Sequence, residues 1–554
     1  MNPDATPSFC ESCRGARTFQ PSHLLPNPVQ LTQIRAILRS NAPISDPAYI
    51  QRLISEAPPE LVRYDNEISR VTAVLDGLVS DRSILATHLD ECKSVSSPVR
   101  RLPSELLVEI FDMCAPPNAS KTLASDTVAD EEDRLNARYL LRLSQVCAFW
   151  RGLAMETPRL WSEVVIDMTL WCDAKTPARF TSSLRSHLSR GGNSPLRLFA
   201  DLSTPQQAVV DLLVEHSRRW RNVSLWFDFQ FRNLAGAKGN LPSLKALHIE
   251  NTGDQSDLGE VIDIFEVAPR LTRVTLCGPL PSLPIIPWQQ LRFFEYITPP
   301  PRAGQEHTDL FGALSLMSRL SLDTDFSLDF EISGDSPVDL HPIVSNVSSL
   351  SLTFFSVTSQ SHVLGEVFKA LTLPRLKRLE IPRRWSDPPP LWGQTHFLMF
   401  ASRSSLQMNL TELEVHIVIT DEELLKCLSV LPNLTRLGIS DCGGPHQHIL
   451  ITDNLLRHLT WKPDSNCLIP HLHIVFFTSL FHFADDVFWD FLASRLVPGR
   501  KLAQRSEAFQ VTVWWLAGRV REFSSDVLTR ITGFMERGEL GFKTNKDPDE
   551  PAEY

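Results

Sequence analysis

The 554-residue sequence is short of glycine, with 23 against 40 prolines, and of tyrosine, with five beside 30 phenylalanines and 12 tryptophans. Prolines in that excess punctuate many short elements rather than a few long ones. No dense run of lysine or arginine occurs. The 54 basic residues stand against 65 acidic ones, a formal charge of −11, so the positive field that neutralises many phosphates is missing and nucleic acid is not expected as a partner. No window approaches the roughly 18 consecutive apolar residues that a membrane-crossing helix needs, and Met1 to Arg39 holds no unbroken apolar segment of the kind that opens a secreted chain. A chain of the cytoplasm, the nucleus or both is therefore expected, with no membrane association. The ten cysteines form no framework, which suits free thiols in a reducing compartment.

Signatures of catalysis are equally sparse. There is no glycine-rich phosphate loop, no His-Glu-x-x-His and no Gly-x-Ser-x-Gly. Cys10-x-x-Cys13 lacks a second pair to complete a zinc site. His446, His448, His458, His471 and His473 are the best alternative ligand set, but no carboxylate stands at ligand spacing beside them, and they read as solvated or core-edge histidines. Asp421-Glu422-Glu423 is explained by a helix start, where negative charge complements the helix dipole. No catalytic residue, metal or cofactor is assigned, and a metal-dependent enzyme built on these histidines is the weakest of the functional alternatives.

What is present is apolar surface for a large core: 43% hydrophobic residues against 21% charged, which suits several domains or one long repeat array. Residues 1–59, rich in proline and serine, read as a flexible arm. Over 60–95 a heptad helix is expected, because Leu61, Tyr64, Ile68, Val71, Leu75, Leu78, Arg82, Leu85, Leu89 and Cys92 are separated by alternating steps of three and four. Such a seam either pairs two copies into a dimer through 61–92 or packs on the rest of the same chain. Arg82 is its one clear polar break.

A short amphipathic helix follows at Leu102-Pro103-Ser104-Glu105-Leu106-Leu107-Val108-Glu109-Ile110-Phe111, with proline at its start and an acid in its first turn. A second is expected over Leu140 to Ala154, with 143, 146, 147, 150, 153 and 154 on one face; an acidic loop around Asp126 to Asp133 separates the two. The ordered halves Leu102-Pro103-x-Glu105-Leu106-Leu107-x-x-Ile110-Phe111 and Leu143-Ser144-x-Val146-Cys147-x-x-Trp150-Arg151-x-Leu153-Ala154 together resemble an F-box. This is the small helical module by which substrate receptors dock on the Skp-type adaptor of a cullin-RING ubiquitin ligase. The resemblance covers 98–162 and departs from the family in its insert of roughly twenty residues. It implies that Leu102, Pro103, Leu106, Leu107, Ile110, Phe111, Val146, Cys147, Trp150 and Leu153 divide between the module's own core and the adaptor contact.

From residue 163 to 540 a repeat appears. The pattern apolar-x-x-apolar-x-apolar recurs ten times, beginning at Trp220, Leu244, Leu271, Leu291, Met317, Val347, Leu376, Leu410, Leu434 and Leu456, at a mean spacing of about 26 residues. Segments such as Ala208 to His216 and Glu422 to Leu428 read as intervening helices. Units of this kind stack into a parallel sheet backed by helices. They resemble the divergent leucine-rich repeats found behind F-boxes in fungal-type receptors. Cys442 holds the position where that family places an Asn or Cys ladder, whereas Thr252, Pro279 and Phe355 depart from it. The expected fold is thus α/β: a coiled-coil-like helix, a helical F-box, a leucine-rich-repeat solenoid and an acidic disordered tail over 541–554. The resemblance implies a non-enzymatic substrate receptor of an SCF-type ligase with an unknown protein target; a scaffold that has left the ligase is the alternative. Arg273, Arg319, Arg378 and Arg436 share the third place in their units, and on the hollow face of such a solenoid they would form a row able to meet an acidic or phosphorylated target, with Glu295, Glu380 and Glu414 beside them.

Overall fold

Asp46 begins the longest helix of the protein. Its carboxylate accepts a hydrogen bond from the Tyr49 amide at 3.0 Å, and Pro47 fills the first helical position, where a missing N–H costs nothing. The computed structural model describes residues 19–40, 43–44, 46–114, 137–167, 177–202, 207–227, 231–251, 262–278, 284–298, 310–331, 340–355, 362–382, 390–440, 449–462, 467–479, 481–496, 508–515 and 523–544. The chain divides into two compact units, 1–106 and 107–554.

The first unit contains helices α1 (Pro28–Ser40) and α2 (Pro47–Val95). Both begin inside the stretch expected to be a flexible arm, so that expectation fails over 28–40 and from 47 onward; Cys10 and Cys13 lie outside the described residues. Local capping explains the difference. Asn27 and Gln30 exchange side-chain hydrogen bonds with each other's amides at 3.0 and 2.8 Å, a reciprocal cap on α1. Phe19 stacks edge-on to Tyr64 at 4.7 Å, while the Ser22 amide donates to the Tyr64 hydroxyl at 2.9 Å. α2 runs 49 residues through Pro58 and Pro59 and ends at Ser96, whose amide bonds back to Cys92. None of its residues is buried.

In the second unit α3 (Ser104–Met113, its first residues belonging to the first unit), α4 (Ala137–Val146) and α5 (Ala148–Glu156) precede a long coil of strands and helices. The strands are β1 (Glu163–Asp167), β2 (Leu196–Leu202), β3 (Trp220–Phe227), β4 (Ala246–Asn251), β5 (Arg273–Cys277), β6 (Phe293–Ile297), β7 (Asp325–Glu331), β8 (Ile343–Val344), β9 (Ser349–Phe355), β10 (Leu371–Thr372), β11 (Arg378–Ile381), β12 (Glu412–His416), β13 (Arg436–Ser440), β14 (Ile474–Ser479), β15 (Phe509–Trp515) and β16 (Leu540–Thr544). The helices are α6 (Pro177–Arg190), α7 (Gln207–Glu215), α8 (Leu310–Ser315), α9 (Val363–Ala370), α10 (Gln394–Arg403), α11 (Leu406–Asn409), α12 (Asp421–Ser429), α13 (Asp453–Leu459), α14 (Asp485–Arg495) and α15 (Ser525–Glu536). Among the described residues fourteen strands pair in one parallel sheet whose spatial order follows the chain, while β8 and β10 form a small ladder of their own.

Alternation decides which face is which. β2 and β15 bury every second residue, and the inward residues join the buried residues of α7, α9, α12 and α14 in one apolar core running from Val164 to Leu540. Eight of the ten apolar triplets are strands of this sheet with their fourth and sixth places buried, for example Leu379 and Ile381 on β11. Two are not. Met317 to Arg319 ends a 3₁₀ turn, and the strand of that unit is β7, where Phe326 aligns with Phe294 of β6. Leu456 and Leu459 lie on α13, whose strand partner downstream is β14. The coil also runs beyond residue 540, because β16 pairs with β15 through Thr544 where a disordered tail was expected.

Of the ladder positions, Thr252, Pro279 and Cys442 lie outside the described residues. The turns that are described use other donors for their inward carbonyls. Arg219 donates to Leu188 and Ser194 at 2.8 and 2.9 Å, Arg403 to Phe368 and Leu371 at 2.7 Å each, and Arg495 to Ile469 at 2.8 Å. Gln290 and Asn433 each span two further carbonyls. Among the described residues no helix is long and apolar enough to cross a membrane.

Candidate functional site

Two surfaces carry the residues that the sequence singled out. The first is the helical module. Phe111, Leu140, Ala154, Leu160 and Trp161 form a closed core, with Val108, Leu143, Trp150 and Leu153 packed against it. The Phe111 and Trp150 rings meet at 4.9 Å, and the Trp161 indole donates to the Ala154 carbonyl at 2.7 Å. Arg159 ties the end of the module to α3 through Glu109 at 2.7 Å and Asp112 at 3.6 Å.

The single amphipathic helix expected over Leu140 to Ala154 is broken at Cys147. Its backbone turns extended, with φ −160° and ψ 169°, and its sulfur accepts from the Trp150 amide at 3.4 Å as the cap of α5. The break shifts the helical phase. Trp150, Leu153 and Ala154 still face the core, but Val146 stands 60% exposed at the end of α4. Of the expected docking residues, Leu107 and Phe111 are buried; Leu102, Ile110, Cys147, Trp150 and Leu153 are half-buried; Pro103, Leu106 and Val146 are exposed. Phe149, 59% exposed, was missed by the sequence reading. The signal was available, since a phenylalanine off the apolar face of an amphipathic helix has no core to enter. The acidic loop around Asp126 to Asp133 lies outside the described residues.

The second surface is the open face of the sheet. Strand register places Arg273, Phe293, Asp325, Ser349, Arg378, Glu412, Arg436 and Ile474 in one row crossing eight strands. Arg319 is not in that row; it ends the 3₁₀ turn before β7, with its guanidinium 5.7 Å from the Trp288 ring. The three arginines that remain are already engaged. Arg273 lies over Phe293 at 4.3 Å. Arg378 pairs with Glu412 at 2.8 Å and Glu380 at 3.8 Å, and Arg436 reaches Glu414 at 3.6 Å while lying over Phe476 at 4.5 Å. His416 adds a contact to Glu414 at 3.5 Å, and that hydrogen bond, ahead of the Arg436 charge, holds Glu414 below the usual carboxylate range. Burial pushes Glu380 up, and the neighbouring Glu414 charge adds to it. Two arginines against three glutamates leave no positive surplus on β11 to β13, so the row does not assemble into a basic strip. What distinguishes the face is its half-buried aromatics, Trp226, Phe293, Phe476 and Trp514, of which Phe293 and Phe476 lie under the guanidinium groups of Arg273 and Arg436.

His458 lies on α13 and His471 and His473 in the turn before β14, while His446 and His448 lie outside the described residues. Among the described residues no group of three or more His, Cys, Asp or Glu side chains is arranged to hold a metal ion.

Residues 99–167 match the family model described as F-box-like. No curated protein matches the chain. Among solved structures, the crystal structure of the Rad7 and Elc1 complex in yeast is similar at 13% identity, covering 65% of this chain and 96% of that one, with a TM-score of 0.26.

Proposed function

We propose that this protein is the substrate-recognition subunit of an SCF-type ubiquitin ligase. Residues 99–167 dock on a Skp-type adaptor of a cullin-RING assembly, and the strand–helix coil, a divergent leucine-rich-repeat array of the fungal type, holds a protein target. The reading rests on one observation: the F-box-like match falls on a module whose small core is closed while Val146 and Phe149 remain in solvent. In this reading Leu107, Phe111, Trp150 and Leu153 hold the module together. Ile110, Val146 and Phe149 make the adaptor contact of the second unit, and the family resemblance implies a role in adaptor binding for Leu102, Pro103 and Leu106. Strictly sequential parallel strands with buried fourth and sixth places support the repeat assignment. The protein performs no chemistry of its own. It acts in the cytoplasm or nucleus by raising the effective concentration of a target near the carrier of ubiquitin. The target lies on the open face of the sheet, where aromatic and arginine side chains supply the composition typical of interface centres.

The test is co-purification with a Skp-type adaptor. Val146→Asp combined with Phe149→Asp changes two solvated positions, so the melting temperature should hold while adaptor capture drops at least tenfold. Equal capture by the double variant would remove this face from the contact, and failure of the native chain to bind the adaptor and cullin would leave only an interaction scaffold.

A further inference from the structure

α2 leaves nine of the ten positions of its seam exposed, and only Tyr64 is partly covered within its own unit, by Phe19 and Ser22. Leu61, Ile68, Leu75, Leu78, Leu85 and Leu89 are each more than half exposed, and the helix contains no buried residue. The seam is bounded on both sides. It starts directly after Pro58-Pro59, where the helix loses two amide donors, and stops at the Ser96 cap. Between Leu61 and Cys92 it rises about 47 Å at 1.5 Å per residue. A seam of period 3.5 over that length meets its like in another helix, since a straight helix packed on a globular core follows a period of 3.6.

We propose that α2 pairs with α2 of a second copy of this chain, and that the two run antiparallel. The seam is self-complementary in that orientation. With the ends flush, Leu61 of one copy meets Cys92 of the other, Ile68 meets Leu85 and Leu75 meets Leu78, so the ten positions pair in one register about a twofold axis. Arg82 then faces Val71 of the second copy, with the Glu67 carboxylate one helical turn away. Along the flanks, the nearest pairs set Glu67 against His88, Asp65 against Ala86 and Asp81 against Val74, with no like charges opposed. The parallel arrangement is worse on each count: Arg82 meets Arg82, Glu60 meets Asp65 of the other copy, and His88 meets Lys93. The register and the flanking charges thus fit a second copy of α2, and they favour the antiparallel direction.

Sedimentation equilibrium on the full chain tests the association. A dimer at micromolar concentration is expected, and Leu75→Asp with Leu78→Asp should weaken it at least a hundredfold. Both side chains are solvated in the single chain, so the helical circular dichroism of the variant should survive. Direction is read separately. In Leu61→Cys, mild oxidation should link the new thiol to Cys92 of the second copy, identified by peptide mapping, as the main cross-link. A monomer at all concentrations, including one that assembles only with a foreign protein, would overturn the proposal, as would a dimer indifferent to the two aspartates. A predominant Cys92 to Cys92 link would overturn the antiparallel direction.

Discussion

His187 should make the second unit sensitive to acid in a way that one substitution removes. It lies on α6, 8% exposed, with its ring 5.0 Å from that of Trp161 and its Nε2 donating to the Glu163 carbonyl at 3.0 Å. Burial lowers its pKa from 6.5 to about 4, and the charges of Arg190 and Arg219 act in the same direction. Between those two values the unfolded chain binds a proton that the folded chain refuses, so stability falls as pH drops through that window and is fully present above it. At 1.36 kcal/mol per pKa unit, the folded state should lose roughly 2 kcal/mol between pH 7 and pH 5 from this group alone. Urea unfolding at both pH values, with native protein and with His187→Gln, isolates the effect: glutamine can still donate to Glu163 but does not titrate. The native protein should lose about 2 kcal/mol more than the variant over that interval. Parallel losses in the two proteins would show that His187 takes up its proton in the folded state, and the account of its burial would be wrong.

Three further outcomes follow from local surroundings. A Cβ at Gly393 would lie 2.6 Å from the Gly365 Cα and 3.1 Å from its nitrogen, backbone atoms of α9 that cannot swing aside, so Gly393→Ala should destabilise by about 1–3 kcal/mol. Gly77→Ala, with nothing within 4 Å in the middle of α2, should instead stabilise that helix by about 0.5–1 kcal/mol; thermal melts in which both variants match the native protein would contradict this reading. Cys427 is buried, its thiol donates to Gln394 at 3.2 Å, and burial pushes its pKa up to about 12. At pH 8 its thiolate population should be lower than that of an ordinary cysteine by roughly three orders of magnitude. Iodoacetamide mapping should therefore modify the exposed Cys92 and Cys114 first, and prompt labelling of Cys427 in the folded protein would refute the assignment.

How far the fold could be read depended on which period each segment carried. Triplets on β4, β5, β9, β11, β12 and β13 were legible because their fourth and sixth residues alternate toward one core. The triplet from Leu456 failed because Leu456 and Leu459, three apart, satisfy a helix equally well. Thr452, whose hydroxyl caps α13 by accepting from the Leu455 amide, was the overlooked signal. Arg319 was misplaced for a related reason: the strand of its unit begins at Asp325, with Phe326, Leu328 and Phe330 buried in strict alternation. At the helical module the pattern of Leu107, Phe111, Trp150 and Leu153 was clear, while the exposure of Val146 was not, because the break at Cys147 arises from a sulfur cap rather than from proline or glycine. Charge on the open face was legible residue by residue. Partial neutralisation by Glu295, Glu380 and Glu414 was legible as well, but the Arg378–Glu412 pair was not, since it requires knowing that their strands are neighbours in register.

The order of the sheet also bears on how the chain acquires its structure. Each strand of the long sheet lies beside the strand of that sheet made before it, and the interval between aligned residues runs from 20, between Arg273 and Phe293, to 38, between Arg436 and Ile474. No strand of the long sheet waits for a partner from the far end of the chain. Closing each crossover therefore costs the entropy of a short loop, and lengthening one raises that cost only logarithmically. A chain emerging from the ribosome can lay down β1, β2 and β3 while β14 to β16 are still unmade, adding one turn at a time against an edge already formed. Among the described residues the growing edge ends at β16, where Lys543 places a charge on the strand.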